Sequence, residues 1–223
     1  NKEEPLNNAS LRIVGDDGSI EKITVKKDGS YSENIKKNTK YVLLASCRGY
    51  LNSKNEVSTK EMENNKTFPL DFQLASISRP VKINNIFFKF GSSELTPESS
   101  AALDDLVKLL NDNPNITIEI GAHTDMVGTE EANNLLSTQR AQSVVNYLLK
   151  AGVEKERLTP RGYGKSTPVT VDKNLARQYK FLKVNTILDE DFINTLKEEE
   201  QEIANQINRR TEFKVLKTTY KMY

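Results

Sequence analysis

The pattern of apolar and polar positions changes period once along the chain. Through about residue 78 it is short and alternating. Residues 9–14, 20–25, 31–35 and 40–46 each read as a strand. Asp16-Asp17-Gly18 and Asp28-Gly29 punctuate them as turn and hairpin signals. In residues 67–74, Phe68, Leu70, Phe72 and Leu74 alternate with Pro69, Asp71 and Gln73, the mark of a strand with one face in a core. Strands spaced at roughly ten residues predict a small β-sandwich.

After a connector at residues 76–82, which contains Arg79-Pro80, strands alternate with helices. Residues 83–90 read as a strand. Thr96-Pro97-Glu98 starts a helix, with Thr96 able to cap and Pro97 suited to the first helical position. Leu103, Leu106, Val107 and Leu110 follow at i, i+3, i+4 and i+7, and Asn113-Pro114 ends the helix. Ile116, Ile118 and Ile120 alternate with Thr117 and Glu119 in a strand that runs into Gly121-Ala122-His123-Thr124-Asp125. A second helix is expected over residues 129–150, with Leu136, Val144, Val145, Leu148 and Leu149 as its apolar stripe and Ala151-Gly152 at its end. Residues 158–163 form a further strand. Residues 198–208 form a third helix with Ile203, Ala204 and Ile207 inward, its acidic start Glu198-Glu199-Glu200 complementing the helix dipole. Residues 211–216 form a last strand. The expectation is a multidomain β plus α/β chain. A β-sandwich over 1–78 precedes an α/β sandwich over 79–223, with helices packed on a mixed sheet.

Composition narrows what such a chain does. Lys+Arg number 32 and Asp+Glu 31 in 223 residues, a formal net charge of +1. A protein living on phosphate contacts carries a basic excess, so nucleic acid is not expected as a partner. The short basic C-terminal stretch 217–221, with Tyr220 and Tyr223, does not alter this. The longest purely apolar runs, 41–45 and 86–88, are too short to span a membrane. Asn1-Lys2-Glu3-Glu4-Pro5 is polar and does not read as a signal peptide, which fits a mature protein or a fragment. The single cysteine rules out an internal disulfide framework and a cysteine-based zinc site. Leu44-Ala45-Ser46-Cys47 spells a lipoprotein cleavage site but lacks the apolar stretch such a site needs. Cys47 is therefore expected to be a half-buried strand residue.

The residues with chemical potential gather between His123 and Arg140. Asp125 lies just past a strand end. Asn133 and Arg140 are seven apart and so share one helix face, with Leu136 and Ser137 between them. A strand-end loop facing a helix can hold a carboxylate and a guanidinium across a gap. The natural guest is a zwitterion: Asp125 would take an ammonium, and the Arg140 fork a carboxylate. The same two side chains could equally form a structural ion pair that fixes loop to helix.

Two resemblances bear on these readings. Pro5-Leu6, Asp28-Gly29-Ser30-Tyr31, Tyr41-Val42-Leu43 and Gly49-Tyr50 resemble the carboxypeptidase-regulatory-like, transthyretin-like β-sandwich, a module implying a spacer or adhesive role. Gly121-Ala122-His123-Thr124-Asp125, Gly128, Asn133, Leu136-Ser137, Arg140-Ala141, Val144 and Tyr147-Leu148 resemble the OmpA-like C-terminal domain. So do Arg161-Gly162-Tyr163-Gly164, Pro168 and residues 208–213, Asn-Arg-Arg-Thr-Glu-Phe. That resemblance implies non-catalytic binding of peptidoglycan through the diaminopimelate of the stem peptide, without a cofactor. It assigns Asp125 to the ligand ammonium and Arg140 to its carboxylate. Asn133 and Leu136 line the pocket, Thr124 precedes the aspartate, and Phe90-Gly91 form the opposite wall through backbone groups. Arg210 or Arg209 flanks the site. Departures are Lys89 within Phe88-Lys89-Phe90, where many members carry an aspartate, Ala122 at a common glycine, and a stretch from Asp172 to Asn208 longer than a minimal member needs. A sandwich followed by such a domain is also similar to wall-anchoring components associated with type IX secretion. This implies a periplasmic place at the outer membrane and cell wall, with envelope or secretion proteins as partners.

An enzyme reading has less to rest on. His123 and Asp125 invite metal or acid–base chemistry, but His123 is the sole histidine, and a catalytic zinc normally takes three protein ligands. Gly162-Tyr163-Gly164 lacks the third glycine and the lysine spacing of a phosphate loop and reads as a turn.

Overall fold

The computed structural model describes residues 5–6, 8–62, 64 and 66–220. The polar start Asn1-Lys2-Glu3-Glu4, and Lys221 and Tyr223 of the basic C-terminal stretch, lie outside the described residues. The chain divides into two compact units. One comprises Asn1–Ser78 and Leu109–Pro114, the other Arg79–Lys108 and Asn115–Tyr223.

The first unit is built on one antiparallel sheet. Its strands are β1 (Ser10–Gly15), β2 (Ile20–Ile23), β3 (Lys40–Ser46) and β4 (Ser53–Ser58), in the order β2-β1-β3-β4. Alternation sets its core face: Leu11, Ile13, Ile23, Tyr41, Leu43, Ala45 and Val57 are buried together. The expected strands at 31–35 and 67–74 join no ladder. Their apolar positions still pack as the alternation requires, with Tyr31, Ile35, Phe68, Leu70, Phe72 and Leu74 against that cluster. Pro69 has no N–H to give a ladder. The Tyr31 hydroxyl ties the two segments by donating to Leu70 O at 2.6 Å. Among the described residues the second layer is thus side-chain packing rather than a hydrogen-bonded sheet. Cys47 is half-buried, as expected, but lies just beyond β3, in a turn where Tyr50 N donates to Cys47 O at 3.0 Å.

The second unit is a mixed sheet with helices. Its strands are β5 (Val81–Ile83), β6 (Thr117–His123), β7 (Leu158–Gly164) and β8 (Arg210–Lys217), in the order β5-β8-β6-β7. β6 runs parallel to β7 and antiparallel to β8, which is antiparallel to β5. The helices are α1 (Ser100–Asp112), whose last residues from Leu109 on belong to the first unit, α2 (Glu130–Lys150), α3 (Lys173–Gln178), α4 (Glu190–Ile193) and α5 (Glu198–Asn208). Along β6, Ile118, Ile120 and Ala122 are buried on one face, while Glu119, Gly121 and His123 turn to the other.

Three local expectations are revised. The strand expected at 83–90 is only Val81–Ile83; a turn-rich loop follows, closed by the Phe88–Leu95 bridge. Thr96 precedes a 3-10 turn at Pro97–Ser99 but makes no side-chain cap bond. The buried Ser99 hydroxyl instead anchors the loop, accepting from Phe87 N at 2.8 Å and donating to Phe87 O at 3.0 Å. Gly162-Tyr163-Gly164 is neither turn nor phosphate loop but the end of β7. A Cβ on Gly162 would lie 2.3 Å from Thr138 N, so glycine is what lets α2 settle on the strand.

The long stretch after β7 is not a loose loop. Val171, Leu182, Leu188, Ile193 and Met126 bury one another with Ala204 of α5. Asn208, fully buried, pins both ends of it: Val169 N donates to its Oδ1 at 2.9 Å and its Nδ2 donates to Leu188 O at 2.7 Å.

Candidate functional site

Asp125 sits in the loop that leaves β6, and three elements hold that loop. Thr124 is buried; its N donates to Gly164 O at 2.9 Å and its hydroxyl to Asp125 O at 3.0 Å. From α2, Asn133 Nδ2 donates to Val127 O at 2.9 Å. From α5, Asn205 Oδ1 accepts from Met126 N at 3.2 Å. Val127 N then donates to Asp125 Oδ1 at 3.1 Å, which aims the carboxylate. Asn133 is itself buried, so it positions the acid rather than lining an open pocket. Thr129 caps α2 by accepting from Ala132 N at 3.2 Å.

α2 approaches the sheet through small and polar residues. Its buried face is Asn133, Ser137, Ala141, Val144, Val145 and Leu148. Leu136 is half-buried at the edge of that face, so the expected leucine-rich stripe holds only toward the C-terminal end. Ser137 Oγ accepts from Gly164 N at 2.8 Å and fixes helix to strand. Arg140 is carried by this anchored helix.

Arg140 is half-buried and clamped from one side. Its Nε donates to Ser92 O at 3.0 Å, and its guanidinium lies 4.9 Å from the Phe88 ring centroid, a cation–π contact. Neither Nη nitrogen has a protein partner among the described residues. Burial lowers the Arg140 pKa from its ordinary value; the Asp125 charge opposes that shift and Arg209 adds to it. A guanidinium stays charged regardless. The result is a partly desolvated cation with its fork free.

The wall facing Arg140 is therefore the Ser92 carbonyl and the Phe88 ring, not Phe90-Gly91. Ser92 N donates to Lys89 O at 3.0 Å, so residues 89–92 form a tight turn. Gly91 takes φ +62, a conformation glycine adopts freely, and Phe90 is thrown fully into solvent.

The flanking arginine is Arg209. Its Nη1 donates to Asp125 Oδ2 at 2.6 Å. Its Nε and Nη2 donate to Gln206 Oε1 at 3.1 and 2.7 Å, and Nη2 also reaches Glu202. Burial works against its charge, yet the bonds to Asp125 and Glu202 hold its pKa above the usual guanidinium value. Arg210 faces elsewhere. Its Nε donates to Glu212 at 3.2 Å and its Nη2 to Thr167 O at 3.1 Å. Side chains one residue apart at a strand start point to opposite faces, which separates the two arginines. The spacing 202, 205, 206, 209 on one face of α5 was the available signal for this polar stripe.

On the helix-free face, His123 lies in a separate network. Its Nε2 is 3.2 Å from Glu212 Oε1, its Nδ1 is 2.8 Å from Thr167 Oγ1, and its ring stacks on Tyr163 at 4.8 Å. The Tyr163 hydroxyl donates to Glu119 at 2.5 Å; burial and that bond push its pKa up to about 12. A cavity of about 190 Å³ opens here, lined by Glu119, His123, Tyr163, Arg210 and Glu212 among others, and includes neither Asp125 nor Arg140. Among the described residues no three His, Cys, Asp or Glu side chains group as a metal site, and no helix is long and apolar enough to cross a membrane.

Part of this unit is similar to known proteins. Residues 87–180 match the OmpA family. Outer membrane protein A of Escherichia fergusonii is 38% identical over 89 residues, covering 39% of this chain and 37% of that protein. Outer membrane protein P5 of Haemophilus influenzae is 33% identical over 95 residues, covering 42% of this chain and 27% of that protein. The chain thus spans about a third of these relatives or less. Among solved structures, the peptidoglycan-associated lipoprotein from Burkholderia pseudomallei is 23% identical with a TM-score of 0.42, covering 59% of this chain and 88% of that one. The matched stretch carries Thr124, Asp125, Asn133, Leu136 and Arg140 but stops short of Glu202 and Arg209, and over residues 87–180 the chain is similar to the OmpA family.

Proposed function

We propose that the second unit binds peptidoglycan without catalysis, by capturing the zwitterionic end of the diaminopimelate side chain. One observation carries the reading. Arg140 is half-buried and braced by Ser92 and Phe88, and its fork has no protein partner among the described residues. A partly desolvated cation in that state is an anion receptor, and Asp125 supplies the neighbouring negative charge. The ligand carboxylate docks on Arg140 and its ammonium on Asp125. The chain then serves as a tether in the periplasm, joining an outer-membrane or secretion assembly, including one of the type IX kind, to the wall. The first unit acts as a spacer.

The test is co-sedimentation of the full chain with insoluble peptidoglycan. The unmodified protein pellets, and free diaminopimelate releases it. Nα-acetyl-lysine amide, which offers an ammonium but no carboxylate, releases it poorly. Asp125→Ala and Arg140→Ala each weaken binding by about 2–5 kcal/mol, because each leaves a ligand charge unpaired. Equal sedimentation by both variants refutes the site. Release of soluble fragments from peptidoglycan refutes the non-catalytic role.

A further inference from the structure

The two charges proposed to meet the ligand are in different states. Arg140 has an open fork, whereas Asp125 is occupied: Oδ2 accepts from Arg209 Nη1 at 2.6 Å and Oδ1 from Val127 N at 3.1 Å. Arg209 is not a chance neighbour. Gln206 and Glu202, one and two turns back on α5, hold its other nitrogens. Arg140 turns an unpaired fork to the site, whereas Asp125 already holds a cation of the protein's own.

We propose that Arg209 is the specificity-determining residue of this site, an internal competitor that stands in for the ligand's ammonium. The inference rests on the zwitterion-binding reading above. A carboxylate has lone pairs for several donors, but an ammonium arriving beside Arg209 meets like charge. It binds well only by displacing the guanidinium. Glu202 makes displacement feasible. It is more than half exposed, with its side chain at 68% accessibility against 18% for Asp125, and it keeps the displaced Arg209 paired at the site's edge.

This arrangement sorts ligands by what they bring. A simple amine exchanges one cation for another on Asp125 and gains little. A dicarboxylate without an amine binds Arg140 and leaves Arg209 in place. A ligand carrying ammonium and carboxylate together gains at Arg140 what it spends in moving Arg209. Discrimination thus comes from a built-in penalty on incomplete ligands as well as from attraction to the complete one.

Calorimetric titration of the full chain with free diaminopimelate, cadaverine and succinate tests the idea in wild type, Arg209→Gln and Glu202→Gln. Arg209→Gln should bind diaminopimelate about tenfold tighter, a change of about 1.4 kcal/mol. It should gain detectable affinity for cadaverine and leave succinate unchanged. Glu202→Gln, at an exposed position, should weaken diaminopimelate because the displaced guanidinium loses its partner. A merely structural role for Arg209 would lower affinity for every ligand alike. Wild-type binding with an Arg209→Gln affinity equal to or weaker than wild type overturns the competitor alone. Silence from wild type with binding by Arg209→Gln supports it. Silence from both overturns it together with the function on which it rests.

Discussion

His123 is a neutral imidazole held in place by charges it does not carry. It is 3% exposed. Burial lowers its pKa below the ordinary 6.5, and Glu212 opposes that shift only in part. Arg210 and Glu212 face it from β8, Glu119 lies on its own strand, and the Tyr163 ring covers it from β7. With Glu212 ionised and able only to accept, the ring's Nε2 carries the proton and Thr167 donates to Nδ1. The consequence for stability has a definite sign. Below pH 6.5 the unfolded chain protonates this histidine and the folded chain does not, so the unfolded state binds more protons and stability falls as pH drops. The loss is complete once the pH passes the lowered folded value, with a slope of at most about 1.4 kcal/mol per pH unit. Melting curves from pH 7.5 to 5.5, above the range of ordinary carboxylates, should show a decline that His123→Gln flattens. Equal slopes in the two proteins would refute it. The sequence placed Asp125 just past a strand end and Arg140 on the helix that follows, and the structure has them there, although types and spacing alone left a structural ion pair equally open. The choice between Arg209 and Arg210 could not be made that way, because it depends on which residue at a helix–strand junction begins the strand, and a shift of one reverses every side chain.

Among elements, the contact between α2 and β7 is what places the site, and its key residue is one with no side chain. Gly162 has an ordinary negative φ, so alanine is conformationally permitted there, but its Cβ would meet Thr138 N and Thr138 Oγ1 at 2.3 Å and Ser137 Oγ at 2.6 Å. Helix backbone cannot yield as a side-chain tip can. Gly162→Ala should therefore cost about 1–3 kcal/mol by urea denaturation. It should also weaken peptidoglycan binding, because the helix it displaces carries Asn133 and Arg140. Gly121→Ala is the control: the nearest atoms its Cβ would meet are in the Tyr163 ring and the Glu212 stem at 3.1–3.4 Å, and these can move. A Gly162→Ala protein as stable as wild type would remove this account of the interface. Here the sequence was readable in proportion to burial. α5 begins and ends where its pattern says, and β6 announces itself through Ile118 and Ile120. β4 was invisible because only Val57 of its six residues is buried, leaving no alternation to see. Residues 67–74 had the alternation without the ladder, since periodicity reports which side chains are covered and not which backbone groups are paired.

For the whole molecule, the near-equality of 32 basic and 31 acidic side chains becomes a statement about how a ligand is found. A binder of polyanions gathers its partner by releasing counterions and loses roughly 10³–10⁵ in affinity between 50 and 200 mM salt. A chain of net charge +1 with one acid and one base at its site has no such field. Its charges act within a few ångströms, inside the salt-screening length of about 10 Å at 0.1 M, and Arg140 and Asp125 are partly withdrawn from solvent. Affinity of the full chain for free diaminopimelate should therefore change by less than about tenfold between 50 and 500 mM sodium chloride, a range over which exposed ion pairs are strongly screened. Arg209→Gln should be more sensitive, because the ligand ammonium then forms a new ion pair on Asp125 instead of exchanging one cation for another. Calorimetry across that salt series decides the matter. A loss of several orders of magnitude would mean that a broad basic surface, and not the Asp125–Arg140 pair, holds the wall.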